Sequence, residues 1–191
     1  FFAPPGTTAW IALALVSTLA LSGCGGVLSG PPMLNGTAIA TLPEGCVSSS
    51  SITAETAGYI KKQTFTPVNS WLKIWSSTAD RGQLVFSTYP VTREMTYGDH
   101  TYSDTDALVV VNFEYMDKLP VGVGNYSSAP DAKIKVTAQN VSSKGVSGGV
   151  FDKNGTLEIS HMDAKYACGK MKFNDGRNML EGNFIAEVAR L

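Results

Sequence analysis

The densest set of groups able to do chemistry lies between Asp99 and Asp106, where His100 stands among the carboxylates of Asp99, Asp104 and Asp106. A hard cation asks for six or more converging oxygens, and this loop has neither the Asp-x-Asp-x-Asp-Gly order nor the closing Glu of a calcium loop. Zinc asks for further nitrogen or sulfur ligands, and the one other histidine is His161. The preferred reading is a solvated turn whose Asp and Ser side chains bond their own backbone. The competing reading joins the Asp99–Asp106 loop to His161 in a hydrolytic or metal-assisted site. His161 follows Leu157 and Ile159 on an alternating row, and Asp163 could orient its ring. A catalytic triad is defined by geometry and not by possession of its residue types, and no Gly-x-Ser-x-Gly elbow is present. Glu114 and Glu158 could be paired for glycoside chemistry, yet spacing along a chain does not separate such a pair from surface charge. No catalytic residue, metal ligand or cofactor is assigned on this basis.

A second candidate is Trp71-Leu72-Lys73-Ile74-Trp75. Alternation along a strand puts Leu72 and Ile74 on one face and both tryptophans on the other. If the first face is the core, Trp71 and Trp75 are displayed as ligand-binding residues for a carbohydrate or a protein partner. If the strand is covered on both faces, or the segment is a single helical turn, both rings are buried. Burial is the preferred reading.

From Trp10 to Leu21 the chain is almost wholly apolar. This is the length of a signal-peptide core and short of the roughly 20 residues a bilayer span needs. Leu21-Ser22-Gly23-Cys24 follows at once and resembles the lipobox of bacterial lipoproteins. The resemblance implies cleavage before Cys24 and acylation of that residue, the paired acyl chains that stable anchoring requires. Two features depart from the pattern: no Met begins the chain, and no Lys or Arg precedes the apolar run, which predicts a precursor truncated at its basic end. In the lipoprotein family an Asp after the acylated cysteine favours inner-membrane retention. Gly25 at that position points to an outer-membrane or cell-surface location. With Cys24 consumed by lipid, Cys46 and Cys168 remain as an even pair in an oxidising compartment and are expected to be joined in a disulfide, the alternative being two unpaired thiols. Neither C-x-x-C nor a neighbouring His-x-x-x-His accompanies them, so zinc is not indicated.

These groups need a scaffold. Charged residues are 16% of the chain, net charge is −1 and the first charge is Glu44. Without a basic stripe, nucleic acid is excluded as a partner. Residues 24–51 are rich in Gly, Ser, Pro and Thr and read as a lipid-anchored flexible tether. Residues 52–191 change to short β-branched and aromatic runs between turn clusters, which predicts an all-β domain, an antiparallel two-sheet β-sandwich, with a closed β-barrel as the alternative. Expected strands include 52–60, 70–75, 83–89 and 107–115, the last with a Leu108–Val111 run fit for a strand covered on both faces. Asn154-Gly155 predicts a hairpin joining 146–151 to 156–162. Asn174-Asp175-Gly176 predicts another, with Gly182 marking a bulge or a close backbone approach.

The closing elements Gly155-Thr156-Leu157-Glu158-Ile159, Gly169-Lys170-Met171-Lys172-Phe173 and Gly182-Asn183-Phe184 resemble the last strands of small uncharacterised bacterial lipoproteins. The resemblance implies a β-domain and export. The expected organisation is a signal peptide at 1–23, a tether at 24–51 and a β-sandwich at 52–191. Its expected role is a non-catalytic binding or structural module of the cell envelope, held to the membrane through Cys24.

Overall fold

The computed structural model describes residues 31–191 except 57–59, 76, 78, 95–99, 102, 104, 116–118, 128–133, 143, 144 and 150–154. The apolar run and Cys24 lie outside the described residues. The domain is all-β, and among the described residues there is no helix. A two-stranded ribbon comes first, β1 (Met33–Leu34) and β2 (Thr37–Ala38). The main sheet follows with β3 (Ser51–Thr56), β4 (Ile60–Phe65), β5 (Asn69–Ile74), β6 (Arg81–Ser87), β7 (Leu108–Tyr115) and β8 (Gly124–Ser127). It is completed by β9 (Ile134–Ser142), β10 (Gly145–Gly149), β11 (Gly155–Met162), β12 (Tyr166–Asn174) and β13 (Asn178–Arg190).

These eleven strands form one hydrogen-bonded sheet in the order β10-β9-β7-β6-β5-β13-β12-β11-β8, with β3 and β4 branching from β13. The sheet is not divided into two separately bonded layers. It curls into a half-barrel, and among the described residues its bonded path does not close. The long strand β13 makes the branch. Its first half, Asn178–Asn183, pairs antiparallel with β3, and its second half, Glu187–Arg190, pairs with β5 in parallel. That parallel pair departs from the all-antiparallel expectation.

Period-two alternation decides which side is inside. Ile52, Leu72, Leu84, Phe86, Val109, Val111, Leu157, Phe173, Leu180 and Phe184 point inward and are buried in one core. Each such side chain contributes about 1.5–3 kcal/mol relative to exposure. The Phe86 and Phe184 rings lie 5.9 Å apart, joining β6 to β13 across the core. Phe113 on β7 and Tyr126 on β8 stack at 6.3 Å. Since β8 ends the strand order and β7 stands near the opposite end, this contact brings the two margins of the curled sheet together.

Two glycines permit close approach of neighbouring strands. A Cβ on Gly169 would stand 1.8 Å from the Glu158 carbonyl oxygen, and one on Gly182 would stand 2.1 Å from that of Ser51. Neighbouring backbone occupies the space a side chain would need, so the close approach expected at Gly182 is present. The hairpin at Asn174-Asp175-Gly176 also forms: Phe173 pairs with Leu180, and Gly176 takes a φ of 84°.

Other elements differ from expectation. The run 52–60 is not one strand, because β3 ends at Thr56 and β4 folds back on it. The expected hairpin of 146–151 with 156–162 is corrected: β10 pairs with β9, and both edges of β11 are taken, by β12 and β8. A strand has only two edges, so the Asn154-Gly155 signal was overridden by long-range pairing. Asn35-Gly36 supplies such a turn elsewhere, with φ values of 50° and 78° between β1 and β2, the doubly positive pattern of a tight hairpin.

Candidate functional site

Among the described residues the inward face is filled by the core, and two segments partly cover the outer face. The first is residues 33–47, which composition reads as tether. Leu34 and Ile39 are buried against Tyr166, Cys168 and Ile185, with Leu42, Cys46 and Val47 packed at the margin. Cys46 and Cys168 are disulfide-bonded, with Cα atoms 5.6 Å apart, within the ordinary range for such bonds. Cys168 is on the outward row of β12, opposite Ala167, Met171 and Phe173, so alternation presents its sulfur to the segment crossing above it.

The second covering segment follows β6. Tyr89 and Val91 pack on Val85, Leu108 and Val110, with Trp71 half-buried at the margin. This explains the Leu108–Val111 run, because β7 has a core on each face. The Trp71 indole donates to the Val91 carbonyl at 3.2 Å, while Trp75 is 37% exposed. Strand spacing over four residues puts their Cα atoms about 13 Å apart. Between them on the same row, Lys73 is only 2% exposed. Burial holds its amine below the usual lysine range, with Glu94 acting in the opposite direction. Alternation puts Lys73 on this row, but its burial is not legible in the sequence.

A polar seam joins the two covering segments. Asn35 Oδ1 accepts from the Ser70 backbone N–H at 2.7 Å and from Asn69 Nδ2 at 3.2 Å, and its Nδ2 donates to Ser70 O and to Glu187. Asn69 Oδ1 in turn accepts from Val91 N at 2.8 Å. Ser50, fully enclosed, donates to Ile185 O and accepts from Ile185 N. Such buried groups must be paired, because an unsatisfied one costs about 1–3 kcal/mol.

The histidines are each engaged by a separate carboxylate. His100 stacks on Tyr89 with ring centroids 3.8 Å apart and meets Asp106 at 2.9 Å. Asp106 is held below the usual carboxylate range first by the Ser103 backbone N–H and then by His100. The turn expected between 99 and 106 is therefore partly seen, since Asp106 does bond its own backbone; Asp99 and Asp104 lie outside the described residues. His161 meets Asp163 at 3.2 Å in the β11–β12 turn. Among the described residues no group of three or more His, Cys, Asp and Glu side chains converges as a metal site. Glu114 pairs with Arg81 at 2.8 Å and Glu158 with Lys170 at 2.8 Å, so the two carboxylates are engaged by different cations.

The uncovered part of the outer face is polar. Asn125, Glu158, Lys170, Asn183 and Ser51 stand in register across β8, β11, β12, β13 and β3. Beside this row runs another, Ser127, Thr156, Lys172, Glu181, Thr53 and Thr64. Neighbouring strands are about 4.8 Å apart, so each row offers donors and acceptors at regular intervals. What the fold and this face define is a half-barrel β-domain with one open polar surface. No family model, curated protein or solved structure matches the chain.

Proposed function

We propose that the protein is an exported, lipid-anchored β-domain that serves as a non-catalytic binding or structural module of the bacterial cell envelope. The observation that carries this reading is the Cys46–Cys168 bond. Disulfides persist in oxidising compartments, and this one engages two of the three cysteines, leaving Cys24 as the thiol in the lipobox-like Leu21-Ser22-Gly23-Cys24. The polar face across β8, β11, β12, β13 and β3 is the surface offered to an envelope protein or a carbohydrate. The anchor places the domain at the outer membrane or cell surface, following Gly25. A two-layer sandwich is the finer description we favour for how the halves of the curled sheet pack over the core.

The anchor is tested by growing cells expressing the chain with radioactive palmitate. Label should enter the wild-type band and vanish in Cys24→Ala. Equal labelling of the two would overturn the anchored reading.

A further inference from the structure

We infer that the depression beside the Cys46–Cys168 bond binds a small zwitterion, a molecule that carries an ammonium and a carboxylate a few ångströms apart, as a free amino acid does. The inference names the ligand class of the binding module proposed above, and it does not depend on lipid at Cys24.

The depression encloses about 230 Å³ between the N-terminal segment and the outer face of β11, β12 and β13. Its lining is tied to the disulfide: Gly45 and Val47 flank Cys46, and Gly169 follows Cys168. The bridge thus holds one wall against the sheet. Gly169 contributes backbone to the wall. Glu158, Lys170 and Asn183 supply the polar groups, and pairing across three adjacent strands puts them side by side.

Their chemistry selects the ligand. Glu158 accepts only and Lys170 donates only. They meet at 2.8 Å with side chains 32% and 66% exposed, and so open an ion pair contributes little in solvent. Exchanging it for a ligand ammonium on Glu158 and a ligand carboxylate on Lys170 keeps both charges paired and adds a second charge-assisted contact. The Asn183 amide can donate to the carboxylate or accept from the ammonium. Sugars are less suited, because the one aromatic lining residue, Phe184, is fully buried and offers no ring to stack on.

The test is a titration of the isotope-labelled full chain followed through backbone amide resonances, with L-alanine as the zwitterion. N-acetyl-L-alanine, L-alaninamide and glucose serve as the single-charge and neutral probes. L-alanine should shift the Gly45, Gly169 and Asn183 signals saturably. Glu158→Gln and Lys170→Met should each weaken the effect about tenfold, the size of one lost charge-assisted contact. Lys172→Met, one row away, should leave it unchanged, and reduction of the disulfide should abolish it. The proposal is overturned if L-alanine gives no saturable shift, if a single-charge probe or glucose binds as well, or if Lys172→Met is as damaging as Lys170→Met. Retained binding by the reduced protein would overturn the role of the bridge. Palmitate labelling is unaffected by any of these results, so the anchor and the site fail separately.

Discussion

Trp71 and Trp75 have the same side chain and the same row, and their surroundings separate them. Trp71 is wedged beside Val91 with its indole hydrogen bonded, whereas Trp75 is 37% exposed and belongs to none of the buried clusters. Trp71→Ala should therefore lower the unfolding free energy by about 2–3 kcal/mol, somewhat less than a fully buried tryptophan would. Trp75→Ala should cost less, about 1 kcal/mol, in keeping with its partial cover and lack of a core cluster. Urea titrations of the two variants check this. Asp163 makes a second prediction. The backbone N–H groups of Tyr166 and Lys165 hold its carboxyl below the usual range, and His161 adds to the effect. A carboxyl depressed in the folded state stabilises above its unfolded pKa of about 3.9, and that contribution is lost as pH falls through the folded value. The urea midpoint of wild type should thus drop more steeply on acidification below about pH 4 than that of Asp163→Asn, whose amide oxygen still accepts from the turn but does not ionise. Parallel acid limbs would contradict it.

At the scale of elements, Gly169 and Gly182 let neighbouring strands approach more closely than a side chain would allow. Gly182→Ala would drive a methyl group into the Ser51 carbonyl, 2.1 Å away. The strands β13 and β3 would have to part, at a cost of about 1–3 kcal/mol. Guanidinium unfolding measures it, and a variant as stable as wild type would show that the sheet can yield there. Much of this element-level pattern was legible, and what failed to be legible has a common cause. Alternation placed Leu72 and Ile74 inside, and Asn174-Asp175-Gly176 announced its hairpin, because both depend on residues close in sequence. Asp175 closes that turn by accepting from the N–H groups of Arg177 and Asn178. The partner of β10 was misread because Asn154-Gly155 is a local signal, while β11 is claimed by β12 and β8 through long-range pairing. The ribbon β1–β2 had the same signal at Asn35-Gly36 and was passed over because Gly, Ser and Pro around it resemble a tether. The candidate site was barely legible: Glu158, Lys170 and Asn183 are unremarkable in sequence and become neighbours only through register.

For the molecule as a whole, the bond between Cys46 and Cys168 closes a loop of 122 positions. The chain-entropy account gives a stabilisation on the order of 4–5 kcal/mol for a loop of that size. Cys46→Ser should lower the unfolding free energy by up to about that amount, and a reducing agent should bring wild type to the level of the variant. Calorimetry under both conditions checks it; equal melting of oxidised and reduced wild type would assign the bridge no weight. The same loop holds the small apolar cluster of Leu34, Ile39, Tyr166 and Ile185 shut, so reduction should also expose residues 33–47.

The branching strand β13 has a consequence for how the chain is made. It lies beside β12, β3 and β5 at once, yet it is synthesised long after β3 and β5. Until Asn178–Arg190 emerges, those early strands have no neighbour on that side, and the sheet stays in three unjoined pieces, β10-β9-β7-β6-β5, β12-β11-β8 and β3-β4. Such distant pairings form slowly, since loop closure is costly before the contacts repay it. The last strand to be made is therefore the one that joins the pieces, so the sheet is completed only when the end of the domain is present.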